Sequence, residues 1–227
     1  MISIKNLSCY YKVNKGHLLV IDNLNIDIPD SQLLVVIGES GCGKTTLLKA
    51  IAGMLTYTEG DIFINRKDVY DYDKRTNDMA YVSQEYVLYP HLTVFENIAY
   101  PLTNSKVQYE EINRQVYEIA KRFGLVYLLT RKPFQLSGGQ QQLVALARAF
   151  VKQPKIVLLD EPFSNLDIET RKKMRKIVLE YCKDYHPTII YVTHDLEDAV
   201  LIADRIIEIK DGKISHSYYP DEYKDIL

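Results

Sequence analysis

The sequence predicts an α/β fold with a mixed, mainly parallel sheet, and three apolar runs carry this prediction. Leu33 to Ile37, Ile156 to Leu159 and Thr188 to Thr193 contain almost only apolar or β-branched residues. Such runs are typical of strands that are covered on both faces of a parallel sheet. Each run is followed by polar or glycine-rich residues and then by a helical pattern. Strands that alternate with helices in this way build a parallel sheet.

An antiparallel β subdomain is predicted at the N-terminus. Ser3 to Leu7 and Ile21 to Ile28 alternate apolar and polar residues, as half-buried antiparallel strands do. Asp61 to Ile64 has the character of an edge strand that returns to this first sheet. Between these strands, Lys44 to Ala52 has a helical pattern, which Gly53 ends.

A helical subdomain is predicted at roughly residues 90 to 148, after a short core strand at Met79 to Val82. Glu111 to Phe123 places five apolar residues on one helical face: Ile112, Val116, Ile119, Ala120 and Phe123. A second long helix is expected from Gly138 to Val151. Because no strand pattern lies between these helices, we expect them to form an insertion in the α/β domain.

The α/β pattern resumes after the insertion and ends in a hairpin. Arg171 to Tyr181 is amphipathic, with four residues expected to face inward: Met174, Ile177, Val178 and Tyr181. Asp195 to Ala203 has the pattern of a helix with an acidic first turn. Arg205 to Ser215 contains two short strands around Asp211-Gly212, a strong hairpin turn. We expect residues 1–227 to form a single domain.

Composition narrows the class of protein. A chain of 227 residues is long enough for one substantial domain, and its net charge of −2 gives no electrostatic case for binding nucleic acid. Cys9, Cys42 and Cys182 are widely spaced, which favours a reduced, cytosolic chain without a disulfide framework or structural zinc. No signal peptide pattern and no run of about 18 apolar residues occurs. We therefore expect any membrane role to depend on a partner.

The most specific motif is the segment Gly38 to Thr46, G-E-S-G-C-G-K-T-T, which directly follows an apolar strand. It matches the phosphate-cradling loop pattern G-x-x-x-x-G-K-[ST] in the context that the pattern requires. In such a loop, backbone N–H groups and the N-terminus of the following helix surround phosphate oxygens. We expect Lys44 to reach the β- and γ-phosphates and Thr45 to offer its hydroxyl to Mg²⁺. A glycine-rich turn that holds a lysine by chance would need several coincidences.

Two further motifs are less specific when each is taken alone. Asp160 and Glu161 follow a buried strand, and ligands bind at the carboxyl ends of strands in open parallel sheets. An exposed acidic strand end is the equally common alternative. Leu136 to Gln140, L-S-G-G-Q, opens a long helix, where Ser137 is a good N-cap and the glycines permit close approach of a phosphate. An ordinary helix start is the alternative for this second motif.

Together these motifs resemble the ATP-binding cassette (ABC) ATPases, the nucleotide-binding subunits of ABC transporters. Six motifs occur in the family's order over nearly the whole chain. The resemblance implies a P-loop NTPase core, with the N-terminal antiparallel β subdomain and the inserted helical subdomain as appendages. It also implies a set of ATP-binding residues in this chain: Tyr11, Gly38, Glu39, Ser40, Gly41, Cys42, Gly43, Lys44, Thr45, Thr46, Ser137, Gly138, Gly139, Gln140 and Asp167.

The resemblance also implies roles for individual residues. Glu161 corresponds to the general base of ATP hydrolysis, while His194 and Gln84 correspond to residues that contact the γ-phosphate and the attacking water. The implied ligands of Mg²⁺ are Thr45, Gln84 and Asp160. A lone histidine at a strand end is usually polar surface, and Gln84 has weight only through its position. Ser164 to Asp167 matches the loop that crosses the dimer interface in the family.

One position, Tyr11, leaves the adenine-stacking residue open, and another, Leu143, departs from the family pattern. Tyr11 stands where the family has an aromatic residue that stacks on adenine, but Tyr10 is adjacent and is the alternative. Leu143 stands where many members have arginine. Because no phosphate role attaches to that position, we expect Leu143 to change local helix packing and not catalysis.

The function expected from the resemblance is that of an ATPase subunit that energises a membrane transporter, on the cytoplasmic face of the membrane. Its expected partners are a second copy or a paralogous ATPase subunit, integral-membrane permease subunits and an extracellular substrate-binding protein. The stretch Tyr89 to Tyr100 is similar to the region of importer subunits that grips a permease helix. Because the sequence ends soon after Ile214, we expect no appended regulatory domain of the kind that some sugar and polyamine importers carry.

Several alternatives remain open at the level of sequence. Export and lipoprotein-release complexes use similar subunits. Non-transport relatives in chromosome organisation or repair carry coiled coils or zinc cysteines, and translation factors carry two cassettes; none of these features occurs in this sequence. A generic P-loop kinase or GTPase gives no reason for L-S-G-G-Q. The transported substrate and the choice between homodimer and heterodimer are not encoded in these motifs.

Overall fold

The computed structural model of the chain describes residues 1–55, 58–71, 78–103, 108–164 and 166–224. These residues form ten strands: β1 (Ile2–Val13), β2 (Gly16–Ile28), β3 (Leu33–Ile37), β4 (Thr58–Ile64), β5 (Lys67–Asp68), β6 (Met79–Val82), β7 (Ile156–Asp160), β8 (Thr188–Val192), β9 (Arg205–Lys210) and β10 (Lys213–Tyr218). They also form seven α-helices: α1 (Lys44–Ile51), α2 (Val94–Thr103), α3 (Tyr109–Phe123), α4 (Gly138–Phe150), α5 (Ile168–Tyr185), α6 (Leu196–Ile202) and α7 (Pro220–Lys224). Two short 3₁₀ helices, Val126–Leu128 and Pro133–Gln135, precede α4.

The strands form two sheets, and the predicted α/β fold class is confirmed. The larger sheet has the order β10-β9-β3-β8-β7-β6, and only the β9–β10 pair in it is antiparallel. The smaller sheet, β2-β1-β4-β5, is antiparallel throughout. Asp61 to Ile64 was expected at the edge of this sheet, but β4 continues to a short pairing with β5, which forms the edge instead.

The strand β3 shows why its sequence is apolar throughout. Successive side chains of a strand point to opposite faces of the sheet. Leu34 and Val36 pack into a core that includes residues of β1, β2 and α1. Leu33, Val35 and Ile37 pack into a second core that includes residues of α2 to α6. Because the strand is buried on both faces, its sequence carries no polar alternation.

The helices between β6 and β7 match the predictions made from the sequence in part. The apolar face predicted for α3 is buried as expected, and α4 begins at Gly138 as predicted. The helix α2, which contains Pro101, was not predicted from the sequence. The sequence does contain a signal for the start of this helix, because Thr93 and Glu96 have the spacing of a capping box. In the structure the Thr93 backbone N–H donates to Glu96 Oε2 at 2.7 Å, and the Glu96 N–H donates to Thr93 Oγ1 at 3.2 Å.

The order of the parallel strands determines where the functional side chains lie. Since β3, β8, β7 and β6 are neighbours and parallel, the segments that follow them leave the sheet at the same edge. These segments carry Gly38, His194, Glu161 and Gln84, respectively, and Asp160 is the last residue of β7. Nowhere in the described ranges is a helix both long enough and apolar enough to cross a membrane.

Candidate functional site

The loop between β3 and α1 has a backbone shape that requires glycine at two positions. Gly38 has φ +147°, and a Cβ atom there would lie 2.3 Å from the Ile209 carbonyl oxygen. Gly43, the N-cap of α1, has φ +113°, a left-handed conformation that other residues rarely adopt. Gly38 is therefore needed where the chain passes close to β9, and Gly43 is needed for the turn that begins the helix.

Lys44 lies across its own loop. Its Nζ donates hydrogen bonds to the carbonyl oxygens of Gly38 at 2.7 Å and Glu39 at 2.8 Å, and the residue is only 6% exposed. Glu39, Ser40 and Gly41 are exposed at the top of this loop. The loop therefore presents a buried cation beneath an exposed backbone turn at a helix N-terminus, an arrangement that suits a phosphate group.

Cys42 and Thr46 complete the loop, and Thr46 connects it to the small sheet. Cys42 is half-buried, and its backbone N–H donates to the Glu39 carbonyl at 3.3 Å. Thr46 is buried, and its hydroxyl lies 3.4 Å from the Tyr11 hydroxyl. Tyr10 instead donates to Glu59 Oε2 at 3.2 Å. Of the two candidate tyrosines, Tyr11 is thus the one in contact with the loop.

Thr45 and Asp160 meet at the junction of α1 and β7. The Thr45 hydroxyl donates to Asp160 Oδ1 at 3.0 Å, and the Tyr81 hydroxyl donates to Asp160 Oδ2 at 3.3 Å. Asp160 is 2% exposed. Its burial raises the pKa of the carboxyl group above the usual value, and the neighbouring carboxylate of Glu161 adds to this effect. A cation bound here would relieve both costs.

The donor set fits Mg²⁺ only if a ligand shares the ion. Within the part of the chain that the structure describes, no group of three or more His, Cys, Asp or Glu side chains could hold a metal. Mg²⁺ usually keeps several waters and is held by one or two carboxylates together with substrate phosphates. Asp160 and Thr45, beside a phosphate-cradling loop, match that pattern of coordination.

Two other predicted residues, His194 and Gln84, both contact one carboxylate oxygen of Glu161. His194 Nδ1 lies 3.2 Å from Glu161 Oε2, and Gln84 Nε2 donates to the same oxygen at 3.4 Å. The Glu161 side chain is 18% exposed, whereas that of His194 is 66% exposed. Glu161 has φ +46°, an uncommon conformation for a residue other than glycine and one that recurs at functional sites. We call Lys44, Thr45, Gln84, Asp160, Glu161 and His194 the strand-end cluster.

The segment Leu136 to Gln140, called here the signature segment, is built differently. Ser137 is an exposed N-cap of α4. Its Oγ accepts the Gln140 backbone N–H at 3.3 Å, while the Ser137 N–H donates to Gln140 Oε1 at 3.0 Å. Gly138 and Gly139 follow in the first turn. A Cβ atom on Gly138 would lie 3.1 Å from the Tyr86 hydroxyl, so the segment borders the chain that follows Gln84.

Asp167 is likewise engaged in a local cap. It is exposed and caps α5, accepting the Thr170 backbone N–H at 2.9 Å and the Thr170 hydroxyl at 2.7 Å. These hydrogen bonds lower the pKa of its carboxyl group. Ser164 donates its hydroxyl to the Glu161 carbonyl at 3.0 Å, and Asn165 of the same loop lies outside the described residues.

Comparison with known proteins identifies the family. The family described as "ABC transporter" matches residues 21–164. The chain belongs to the ABC transporter family. The matched region contains the loop from Gly38 to Thr46, the signature segment and Asp160-Glu161.

Individual ABC relatives agree with this assignment. An sn-glycerol-3-phosphate import ATP-binding protein, UgpC of Bartonella quintana (strain Toulouse), is 43% identical over 224 residues, which are 99% of this chain and 64% of that protein. The oligosaccharides import ATP-binding protein MsmX of Bacillus subtilis (strain 168) is 45% identical over 202 residues, 89% of this chain and 55% of MsmX. The chain thus spans less than two thirds of the length of these relatives.

A solved ABC structure has the same fold. It is described as a dimeric structure of a post-hydrolysis state of the ATP-binding cassette MJ0796 bound to ADP and Pi. It superimposes with a TM-score of 0.89 at 32% sequence identity and covers 97% of this chain and 99% of its own.

Two residues beside this candidate site were not predicted from the sequence. Tyr81 contacts Asp160 and Tyr86 borders Gly138, although nothing in their local sequence distinguishes them from the other 16 of the 18 tyrosines. Leu143, at the position where the sequence departs from the family, is half-buried. It packs against the core that includes residues of α2 to α6.

Proposed function

We propose that this chain is the ATP-hydrolysing subunit of an ABC importer. It binds two ATP molecules at a head-to-tail dimer interface and couples their hydrolysis to substrate movement by a separate membrane permease. The observation that carries the proposal is the convergence of Gln84 and His194 on one oxygen of Glu161, beside the Thr45–Asp160 pair and the phosphate-cradling loop. An ABC-type ATPase of an export, lipoprotein-release or non-transport complex is the alternative.

In this proposal the strand-end cluster performs the chemistry. Lys44, which bridges carbonyl oxygens of its own loop, exchanges those hydrogen bonds for phosphate oxygens. Glu161 accepts a proton from the attacking water, and Gln84 and His194 orient the water and the γ-phosphate around the same carboxylate. Asp160 and Thr45, with help from Gln84, would hold Mg²⁺, which would neutralise charge on the phosphates. Tyr11 stacks on the adenine.

The signature segment completes the site from a second copy. Ser137 is exposed, and with Gly138 and Gly139 it forms a helix N-terminus, which is suited to a phosphate. Its observed partners are within its own helix cap, so it is available to a γ-phosphate on another protomer. Asp167 lies at the same kind of exposed helix start. ATP then acts as part of the dimer interface, and its hydrolysis weakens the dimer.

A groove next to this segment suits the permease helix. It has a volume of about 400 Å³, and its lining includes Tyr86, Tyr89, Tyr100 and Arg148. The rings of Tyr89 and Tyr100 lie 4.4 Å apart between centroids, and Arg148 donates to the Val87 carbonyl at 2.7 Å. The groove is lined in part by the chain segment that follows Gln84. A helix bound in the groove would therefore contact the segment that carries Gln84. The subunit would thereby be held at the cytoplasmic face of the membrane.

Import is favoured over export by the names of the relatives. UgpC and MsmX are both import ATP-binding proteins, and they are related to nearly the whole of this chain. A substrate-binding protein outside the cell and a sugar-like or other small solute would fit that class of system. We propose that residues 1–227 form one nucleotide-binding domain, with roughly residues 90–148 as its helical subdomain.

The test is capture of the membrane partner. Tagged Glu161→Gln protein, which should retain ATP, is mixed with detergent-solubilised membranes of its own cell in the presence of ATP. Recovery of a polytopic membrane protein supports the transporter function and identifies the permease. The matched control adds Val87→Asp, because Val87 is 72% exposed beside the groove; this variant should lose the membrane protein. Recovery of soluble partners alone, in repeated trials, would support the non-transport alternative.

A further inference from the structure

A partly buried ionic cluster joins α5 to α6. Arg171 Nη1 donates to Asp195 Oδ2. One turn further along α5, Arg175 Nη1 lies 3.1 Å from Glu197 Oε1 and 3.4 Å from Asp198 Oδ1. The Tyr191 hydroxyl of β8 donates to Asp198 Oδ2 at 2.9 Å. Arg175 is 5% exposed and Asp198 is 1% exposed, so the centre of the cluster is removed from water.

The ends of this cluster lie at two functional segments. Arg171 is in the first turn of α5, and its backbone N–H donates to the carbonyl of Asp167 at 2.8 Å. Asp195 follows His194 directly and caps α6, since its Oδ1 accepts the Asp198 N–H at 3.1 Å. The Asp195 N–H donates to Thr193 Oγ1 at 2.9 Å. A single ion pair thus connects the helix that begins at Asp167 with the turn that carries His194.

Stability alone is a weak reason for such a cluster. Removing charges from water costs free energy that their attraction often fails to recover, and an apolar pair of similar size would join two helices as well. Three of its polar atoms, Arg171 Nε, Arg175 Nη1 and Asp198 Oδ1, are buried without a hydrogen bond of good geometry. A rigid, planar guanidinium does offer a fixed distance and direction between the two elements.

His194 depends on its neighbours for its position. Its side chain is 66% exposed, so packing contributes little to holding it 3.2 Å from Glu161 Oε2. We propose that Arg171, acting through Asp195, is a positioning residue that sets His194 over Glu161. The inference rests on the proposed ATP hydrolysis.

The experiment compares two arginines of matched type in the purified chain. Arg171→Met should lower kcat for ATP hydrolysis roughly 10-fold, because small misplacement of a reacting group is costly. It should leave KM for ATP within about twofold, since Arg171 lies outside the nucleotide-binding loop. The control is Arg122→Met, because Arg122 Nη2 forms the same kind of ion pair with Asp184 of α5 at 2.6 Å. The control should keep kcat, and thermal unfolding of both variants reports any common loss of stability.

Further variants decide between positioning and structural roles. Asp195→Asn should lower kcat as Arg171→Met does, and the double variant should lose no more than the larger single effect, because the two residues act as one unit. Arg171→Lys, which keeps the charge and is expected to fold, should recover part of kcat. A normal kcat in Arg171→Met, a loss of kcat in both arginine variants that follows their loss of Tm, or additive effects in the double variant would overturn the inference. Absence of hydrolysis by the unmodified protein would instead count against the proposed function.

Discussion

The strand-end cluster and the signature segment differ in how their residues are held. In the strand-end cluster, side chains from distant segments contact one another: Thr45 after β3 contacts Asp160 of β7, while Gln84 after β6 and His194 after β8 both contact Glu161. Lys44 lies beside them and donates to carbonyl oxygens of its own loop. In the signature segment, Ser137 and Gln140 satisfy each other within four residues. The fold therefore assembles the strand-end cluster from separate segments (the assembled group). It only exposes the signature segment, which is formed locally (the presented group). A site that needs both groups is complete only when another surface meets the signature segment.

The largest effect is expected at the centre of the assembled group. Glu161→Gln keeps the hydrogen-bonding shape of the side chain but removes the base, so ATP turnover should fall by about 10²–10⁴ while ATP binding persists. The variant should accumulate as an ATP-bound dimer, measured by light scattering with and without ATP. Glu118→Gln, an exposed change on α3, serves as the control. Near-normal turnover in Glu161→Gln would show that another group is the base.

The second effect tests the presented group. Ser137→Arg introduces a long cation at the exposed N-cap of α4, where it should disrupt the contact of this segment with the nucleotide held by a second copy and abolish turnover at that site. ATP binding by the same protomer should remain, because the strand-end cluster is untouched. Tyr127→Arg, at a side chain that is 70% exposed elsewhere between α3 and α4, should leave turnover unchanged. Turnover by Ser137→Arg would contradict completion by another copy.

Mixing two inactive variants makes this comparison sharper. Lys44→Ala disables the strand-end cluster, and Ser137→Arg disables the signature segment. A mixed head-to-tail dimer contains one site with an intact Lys44 and an intact Ser137, so the mixture should hydrolyse ATP although neither variant does so alone. A mixture that stays inactive, despite mixed dimers seen by native mass spectrometry, would argue against the shared site.

The same difference explains what the sequence could predict. The parallel strands were recognisable because burial on both faces leaves continuous apolar runs, as in Leu33 to Ile37 and Thr188 to Val192. The loop at Gly38 was recognisable because its backbone shape permits few residues. Arg171 and Asp195 were not recognisable as partners, because their contact depends on how α5 and α6 pack. Tyr81 was missed for the same reason, since its contact with Asp160 exists only once β6 and β7 are neighbours.

The two groups should also differ in what they contribute to stability. Asp160 is buried, and burial raises its pKa above the ordinary value of 3.8, so its charged form is disfavoured in the folded state. At a pH above the raised pKa, this carboxylate therefore lowers the free energy of unfolding. Ser137, in contrast, caps α4 and satisfies a backbone N–H, so it stabilises the fold.

Single substitutions should consequently shift Tm in opposite directions when nucleotide is absent. Ser137→Ala removes a cap worth about 1 kcal/mol, which lowers Tm by roughly 2–4 °C in a domain of this size. Asp160→Asn keeps an acceptor for the Thr45 hydroxyl but removes the buried charge, so Tm should rise at pH 7. That gain should narrow as the pH falls below the raised pKa, because Asp160 is then protonated in the folded state while it is still ionised in the unfolded state. It should disappear below 3.8, where Asp160 is protonated in both states. Calorimetry of both variants across this range is the measurement. A fall in Tm for Asp160→Asn at pH 7 would mean that the assembled half of the site stabilises the fold as the presented half does.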